Sequence, residues 1–241
     1  MHYMGGKSRI AKQLTGVILE YAESRDVLIE PFMGAANMTV ALAPHFDRVY
    51  AYDIHEDLVL MWRAVQNGWV PPIETSKEEY YKVKGSVPSP LRGFLGFGMS
   101  FGGKWFAGYT GGGNPQEIEE VKRLRPGSQS NYIKPARNGV MKLVDHSNIT
   151  VTLSSYLKIP TPRNAVIYCD PPYQQTTGYK HSFDHGEFWK TMDEWSATNQ
   201  VFVSSEQAPS NWETIWEKQV KGTLNKNSNV QPRTEKLFFK Q

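Results

Sequence analysis

At 241 residues the chain has room for one large domain, or for one domain that carries a sizeable insertion. With 39% hydrophobic and 12% aromatic residues it can fill a core, and no apolar run approaches the roughly 20 residues of a membrane span. A single cysteine, Cys169, excludes an internal disulfide and a cysteine-based zinc cluster, so no metal is expected. The opening residues 1–7 lack the apolar region of a signal peptide, and a cytoplasmic setting is expected.

The net charge of +3 is mild but uneven. Residues 61–150 hold 12 Lys and Arg against 7 Asp and Glu, whereas the two flanks together hold 15 against 17. A basic middle between near-neutral flanks points to a polyanion contact confined to one part of the molecule, with chance surface charge as the plain alternative.

In chain order, residues 7–22 read as a helix with Ile10, Leu14, Val17, Ile18 and Tyr21 on one face. Tyr3, Gly5, Gly6 and Lys7 stand just ahead of it. A glycine pair lets backbone approach a ligand, and a lysine at a helix N-terminus adds charge where N–H groups already favour anions. A solvated lysine on a plain chain start is the alternative. Val27-Leu28-Ile29-Glu30 is a short strand running into the small turn Pro31-Phe32-Met33-Gly34-Ala35-Ala36-Asn37 and a helical Met38-Thr39-Val40-Ala41-Leu42. Strand, small-residue turn and helix make a nucleotide-type crossover. The second and third glycines of the dinucleotide fingerprint are missing, which weakens a nicotinamide-dependent oxidoreductase.

The next strand, residues 48–53, ends on Asp53, about 20 residues after the glycine turn. An acid there takes the ribose hydroxyls of an adenosine cofactor; an N-cap supported by Glu56 fits the same residue. Leu58, Met61, Trp62 and Val65 mark the following helix, which stops at Gly68. Residues 69–150 then turn Pro- and Gly-rich, irregular in period and basic. At their centre, residues 93–109 interleave aromatics with glycines, which suits a hairpin or loop presenting rings and Lys104 outward. Residues 116–125 read as a short helix with a Glu-rich start and a Lys/Arg-rich end. Its Lys122, Arg123 and Arg125 either touch phosphates or simply complete a capped surface helix.

Regular patterning returns at Ile149-Thr150-Val151-Thr152-Leu153, at Ala165-Val166-Ile167-Tyr168 and at Val201-Phe202-Val203-Ser204-Ser205. Between the last two, Phe188, Met192 and Trp195 mark a helix face. Two candidate strands at residues 219–224 and 235–240 suggest an antiparallel edge pair, with the polar residues 225–232 as its loop. The strand at 165–168 delivers Cys169-Asp170-Pro171-Pro172-Tyr173 to its carboxyl end, where open α/β sheets bind ligands. The two prolines fix φ and remove two N–H donors, so the turn is stiff and offers mostly carbonyl acceptors. A fixed carboxylate, a fixed carbonyl and a fixed ring form a pocket for a flat amine. An ordinary strand-to-loop turn is the plain alternative.

With the Gly-Gly-Lys start, the Phe32–Ala36 turn, Asp53 and Asp170-Pro171-Pro172-Tyr173 in this order, the chain resembles the Dam-like DNA adenine-N6 methyltransferases over roughly residues 1–65 and 145–210. The resemblance implies S-adenosylmethionine as methyl donor and a doubly wound, mostly parallel seven-stranded α/β sheet. It implies a catalytic domain made of residues 1–65 and 149–241, around an inserted target-recognition region at 66–148. Carried over by position, Tyr3, Gly6, Lys7, Phe32, Gly34, Asp53 and Asp170 would hold the cofactor. Asp170, Pro171, Pro172 and Tyr173 would be catalytic, with Tyr173 stacked on a flipped adenine. Ser100, Lys104, Trp105, Tyr109, Lys122, Arg123 and Arg125 are the candidate contacts to double-stranded DNA. No membrane and no obligate protein partner are expected.

Three positions depart from the family pattern. The cofactor turn reads Gly34-Ala35-Ala36 where relatives often carry a second glycine. His2 stands where enzymes that read GATC carry Lys, and residues 99–106 lack their Arg/Asn-bearing hairpin pattern. The reaction type is untouched, whereas the target sequence is left open. Rival readings are a methyltransferase acting on cytosine N4, RNA or a protein amide, and a non-catalytic DNA-binding protein on the same fold. Asp before Pro-Pro-Tyr favours adenine over cytosine N4, where Ser is more frequent.

Overall fold

The computed structural model describes residues 1, 3, 5–111, 115–124, 131–173, 183–220 and 233–241. Seven strands form one sheet: β1 (Val27–Glu30), β2 (Arg48–Asp53), β3 (Ile149–Leu153), β4 (Val166–Cys169), β5 (Gln200–Ser205), β6 (Glu213–Val220) and β7 (Arg233–Lys240). Their spatial order is β3-β2-β1-β4-β5-β7-β6. The first five run parallel, and β7 lies antiparallel to both β5 and β6. The chain therefore winds outward from β1 in one direction and from β4 in the other, which makes the β1/β4 junction the topological switch point.

The strands at that junction are buried on both faces, as expected for parallel strands covered by helices. Their period of two sorts side chains between two cores. Leu28, Val166 and Tyr168 join the larger core, built on α1 (Ala11–Tyr21), α2 (Asn37–Leu42) and α3 (Glu56–Gln66). Ile29, Ile167 and Cys169 join the smaller one, under α8 (His185–Ser196). By the same alternation Glu30 and Asp170 fall on the α1 face, and so does Glu235, in step with Leu237 and Phe239 on β7.

Between α3 and β3 lie α4 (Lys77–Lys84), α5 (Pro90–Gly98), α6 (Pro115–Leu124) and α7 (Ile133–Met141). Phe94, Leu95, Tyr80, Ile133 and Val140 from this region are buried in the same core as Leu58 and Trp62. Here the structure corrects the sequence reading of residues 93–109 as a hairpin or loop. Ser89 caps α5 by accepting from Arg92 N at 3.1 Å, with Pro90 at the first helical position, a start signal stronger than the glycines that follow. Those glycines serve close packing instead: a β-carbon on Gly93 would stand 2.2 Å from the Asp57 carbonyl oxygen on α3. Residues 99–109 do form a loop as expected, closed by an antiparallel bridge between Ser100 and Tyr109.

Other boundaries shift. The first helix starts at Ala11 rather than residue 7, because the chain makes separate turns through residues 8–10. The 116–125 helix is α6, and Arg125 lies outside the described residues, as do His2 and residues 225–232. The strand expected at 219–224 is β6, shifted to Glu213–Val220. It is an edge strand with charged, mostly exposed residues, so no apolar alternation marks it in the sequence.

Candidate active site

The carboxyl ends of β1, β2 and β4 open on one edge of the sheet, and the stretches singled out in the sequence converge there. After β1 the chain turns through Met33 and Gly34. Met33 N donates to Tyr52 O at 2.8 Å, and Trp62 Nε1 donates to Gly34 O at 3.0 Å. Gly34 has φ 49° and Ala36 φ 56°, the left-handed region, which costs glycine little and strains a residue with a β-carbon. The Tyr3 ring closes over this turn, with Cε1 3.1 Å from where a Gly34 β-carbon would sit, and rests against Phe97 at 4.9 Å between centroids.

Asp53 ends β2. Its Oδ2 accepts from Gly34 N at 2.8 Å and its Oδ1 from His55 N at 2.8 Å. The N-cap of α3 is His55, so the capping alternative for Asp53 does not describe the structure. Burial pushes the Asp53 carboxyl above the usual carboxylate range, and the backbone N–H groups of His55, Gly34 and Ile54 pull it back down.

The Asp170 turn is held from two sides. Lys7, in the stretch before α1, donates to Asp170 Oδ1 at 2.6 Å, to the Tyr173 hydroxyl oxygen at 2.6 Å and to Gly5 O at 3.3 Å. Glu235 enters from β7: its Oε1 is 3.3 Å from Lys7 Nζ and accepts the Tyr173 hydroxyl proton. Arg233 stands 3.5 Å from Glu235 Oε2, and its guanidinium lies 5.2 Å from the Tyr173 ring centroid. Side-chain exposure separates the members of this cluster: 3% for Lys7 and 1% for Glu235, but 21% for Asp170. Asp170 is therefore the carboxylate of the cluster that a ligand reaches. Burial raises its carboxyl, Lys7 lowers it and Glu235 raises it again. The Tyr173 hydroxyl is pushed well up by burial and by both carboxylates, so it stays a donor.

Phe32 forms the remaining wall. Its ring meets Tyr156 at 5.3 Å, Phe183 at 5.8 Å and Phe188 at 5.8 Å. The Tyr156 hydroxyl is pushed up to about 12, first by burial and then by Glu187 and Asp184. Among the described residues no group of three or more His, Cys, Asp or Glu is placed to hold a metal ion.

Tyr3, Gly34, Phe32, Asp53, Asp170 and Tyr173 thus line one edge of the sheet, with Gly6 hydrogen-bonded to Tyr3 O at 3.0 Å. Lys7 sits one layer behind Asp170 instead of in the open. The candidate DNA contacts separate. Ser100 is buried, bonded to the Tyr80 hydroxyl and to Gly96 O at 2.6 Å each, which corrects its reading as a surface contact. Tyr109 donates to Glu117 and Thr75, and the Trp105 ring packs on His55 at 4.3 Å and Phe97 at 4.8 Å. Lys104, Lys122 and Arg123 are exposed, with Lys122 paired to Glu119 at 2.6 Å. Sequence reading missed Glu235 and Arg233. The signal was an acid two residues before Leu237, on the buried face of a strand.

Solved structures with a similar chain path share little sequence. The N-methyltransferase NodS from Bradyrhizobium japonicum WM9 is 11% identical at a TM-score of 0.43, covering 95% of this chain and 93% of its own. An rRNA methylase from Streptococcus thermophilus is 7% identical at a TM-score of 0.40, covering 95% and 94%. The fold assignment rests on the strand order itself. No curated protein matches the sequence. The family model described as D12 class N6 adenine-specific DNA methyltransferase matches residues 3–88. That match, which spans the Tyr3–Lys7 start, the Gly34 turn and Asp53, supports a methyltransferase and bears out the resemblance to the Dam-like adenine methyltransferases drawn from the motifs.

Proposed function

We propose that the protein is a DNA adenine-N6 methyltransferase that uses S-adenosylmethionine. The observation that carries this reading is the Lys7–Asp170–Tyr173 constellation at the switch point, with Asp170 as its partly exposed carboxylate. The family match over residues 3–88 supports the acceptor class.

The residues present fit such a donor. Gly34 brings backbone without a side chain to the edge of the sheet, and Asp53 holds a carboxylate beside it. Asp170 supplies a second carboxylate suited to a cationic ligand, and Phe32 an apolar wall. When bound, S-adenosylmethionine supplies an electrophilic sulfonium methyl group. Adenine N6 is a poor nucleophile because its lone pair is delocalised into the ring. The Asp170 carboxylate and the Pro171 carbonyl accept its two N–H groups and draw the nitrogen towards tetrahedral geometry. Holding the reactants in line in this way is worth about 7–11 kcal/mol of barrier. The Tyr173 hydroxyl is tied down by Lys7 and Glu235, which leaves its ring as the part offered to a base. Stacking there contributes about 1–3 kcal/mol, against a few kcal/mol to extrude the base.

Double-stranded DNA is the proposed partner, met by the basic insertion through Lys104, Lys122 and Arg123. The test is methyl transfer from S-adenosylmethionine to unmethylated DNA, with the modified base read by mass spectrometry. The expected result is N6-methyladenine made by the wild type and absent with Asp170→Ala. Methylated cytosine, RNA or protein would move the acceptor, and no transfer to any DNA would sink the reading.

A further inference from the structure

Glu235 needs an explanation that its place in the fold does not give. A carboxylate 1% exposed, on a strand whose neighbouring inward residues are Leu237 and Phe239, costs several kcal/mol to bury unless it is compensated. Its compensation is Lys7, an ammonium that a second carboxylate, Asp170, already holds at 2.6 Å. One buried cation thus serves two acids, and the Tyr173 hydroxyl links them, donating to Glu235 and lying 3.3 Å from Asp170 Oδ1. Arg233 answers only the far oxygen of Glu235. Because β7 runs antiparallel to β5, with Ser205 opposite Lys236, the start of β7 reaches the same sheet edge as the end of β4.

We propose that Glu235 is a positioning residue of the active site. It shares the Lys7 ammonium, which bonds Asp170 Oδ1 at 2.6 Å, and fixes the Tyr173 hydroxyl, so that the Asp170 carboxylate is not fully neutralised by Lys7 and still accepts from the acceptor amine. The inference rests on the proposed role of Asp170 and extends it to a residue outside the Asp-Pro-Pro-Tyr turn. Without Glu235, the ammonium would give its whole field to Asp170 and strengthen the pair already formed at 2.6 Å, so that the carboxylate accepts an N–H less well. The charged or titratable groups facing Asp170 are Lys7 ahead of α1, Glu30 on β1, Tyr168 and Cys169 on β4, Tyr173 beyond it, and Glu235 with Arg233 on β7. Of these, Glu235 is the negative group that raises the Asp170 carboxyl.

The isosteric Glu235→Gln separates positioning from simple packing. Two readouts are taken: the pH titration of Asp170 in the free protein, by carbon NMR of aspartate-labelled chain with the signal assigned by its loss in Asp170→Asn, and steady-state methylation across pH. Positioning expects the Asp170 midpoint to move to lower pH in Glu235→Gln, with the acid limb of kcat moving the same way. It also expects kcat to fall about tenfold to a hundredfold, as for a misplaced reacting group, while KM values change less than about threefold. An Asp170 midpoint that stays put or rises, or an unchanged kcat, overturns it. Should Glu235→Gln not fold, Glu235→Asp answers instead: the charge stays and the reach shortens, so kcat falls while the acid limb remains near that of the wild type, and full kcat overturns the inference. The NMR titration needs no acceptor, so wild-type protein inactive on every DNA would remove the proposed function while the titration still judged Glu235.

Discussion

The Asp53 carboxylate on β2 accepts the backbone N–H of Gly34, 19 residues earlier, at 2.8 Å, and so ties the end of one strand to the turn that follows its neighbour. Oδ1 accepts from His55 N and the Ile54 N–H also bonds the carboxylate, so of its roughly four acceptor directions the backbone leaves one for a ligand.

Asp53→Asn therefore turns an amide NH2 towards a backbone donor. Losing a charged hydrogen bond costs about 1.5–3 kcal/mol, which corresponds to roughly ten- to hundredfold weaker binding. Calorimetric titration with S-adenosylhomocysteine should show that loss. Unchanged affinity would mean that Asp53 serves the turn alone.

Two glycine-to-alanine changes should act in opposite directions. On α5, Gly93→Ala pushes a methyl group into the Asp57 carbonyl on α3; overpacking of this kind costs about 1–3 kcal/mol, more than the gain of about 1 kcal/mol in helix propensity. On α1, Gly16 has nothing within 4 Å of its would-be β-carbon, so Gly16→Ala should stabilise by roughly 0.5–1 kcal/mol. Urea unfolding of both variants checks the pair, and stabilisation by Gly93→Ala would refute the close α3–α5 approach.

Glu30 is the most strongly displaced acid on the α1 face, raised well above the usual range by burial, against a lowering by Thr39 and further raising by Asp170 and Asp53. The folded state thus binds a proton that the unfolded state releases at lower pH. Its contribution is fully present below the ordinary glutamate range and is lost as pH rises through the folded value. Glu30→Gln keeps an acceptor for the Thr39 hydroxyl and removes this dependence. Thermal unfolding from pH 5 to 9 should fall more steeply for the wild type than for Glu30→Gln; parallel curves would place the bound proton elsewhere.

Ser100 and Lys104, four residues apart, should part ways. Ser100→Ala leaves the buried Tyr80 hydroxyl and Gly96 carbonyl short of a partner, at a cost of about 1–3 kcal/mol in stability. Its DNA affinity per folded molecule should be unchanged. Lys104→Ala should leave stability alone and lower the salt slope of DNA binding by about 1. Binding across a salt series reads both, and an unchanged slope for Lys104→Ala removes it from the interface.

The catalytic framework was legible because parallel strands advertise themselves. Val27–Glu30, Arg48–Asp53, Ile149–Leu153 and Val166–Cys169 are rich in apolar and β-branched residues, two of them end on acids and a third runs into Asp170, and the structure places those ends at one edge. The stretch between α3 and β3 was less legible. Its α5 helix is glycine-rich to fit against α3 and Trp105, so composition argued for a loop while Ser89-Pro90 argued for a helix, and the capping chemistry prevailed. Glu235 escaped because its partners, Lys7 and Tyr173, lie far away in sequence, and the local sign was only its two-residue step to Leu237.

The charge cluster also sets the order in which the molecule becomes competent. Lys7 leaves the ribosome first and Glu235 after the other strands, so the parallel sheet exists before the last strand slots between β5 and β6. Until then Asp170 faces Lys7 without the second carboxylate that shares its charge. Joining such distant parts of a chain is slow compared with local folding, so activity should appear in nascent protein later than compactness does, with the docking of β7 as the final step.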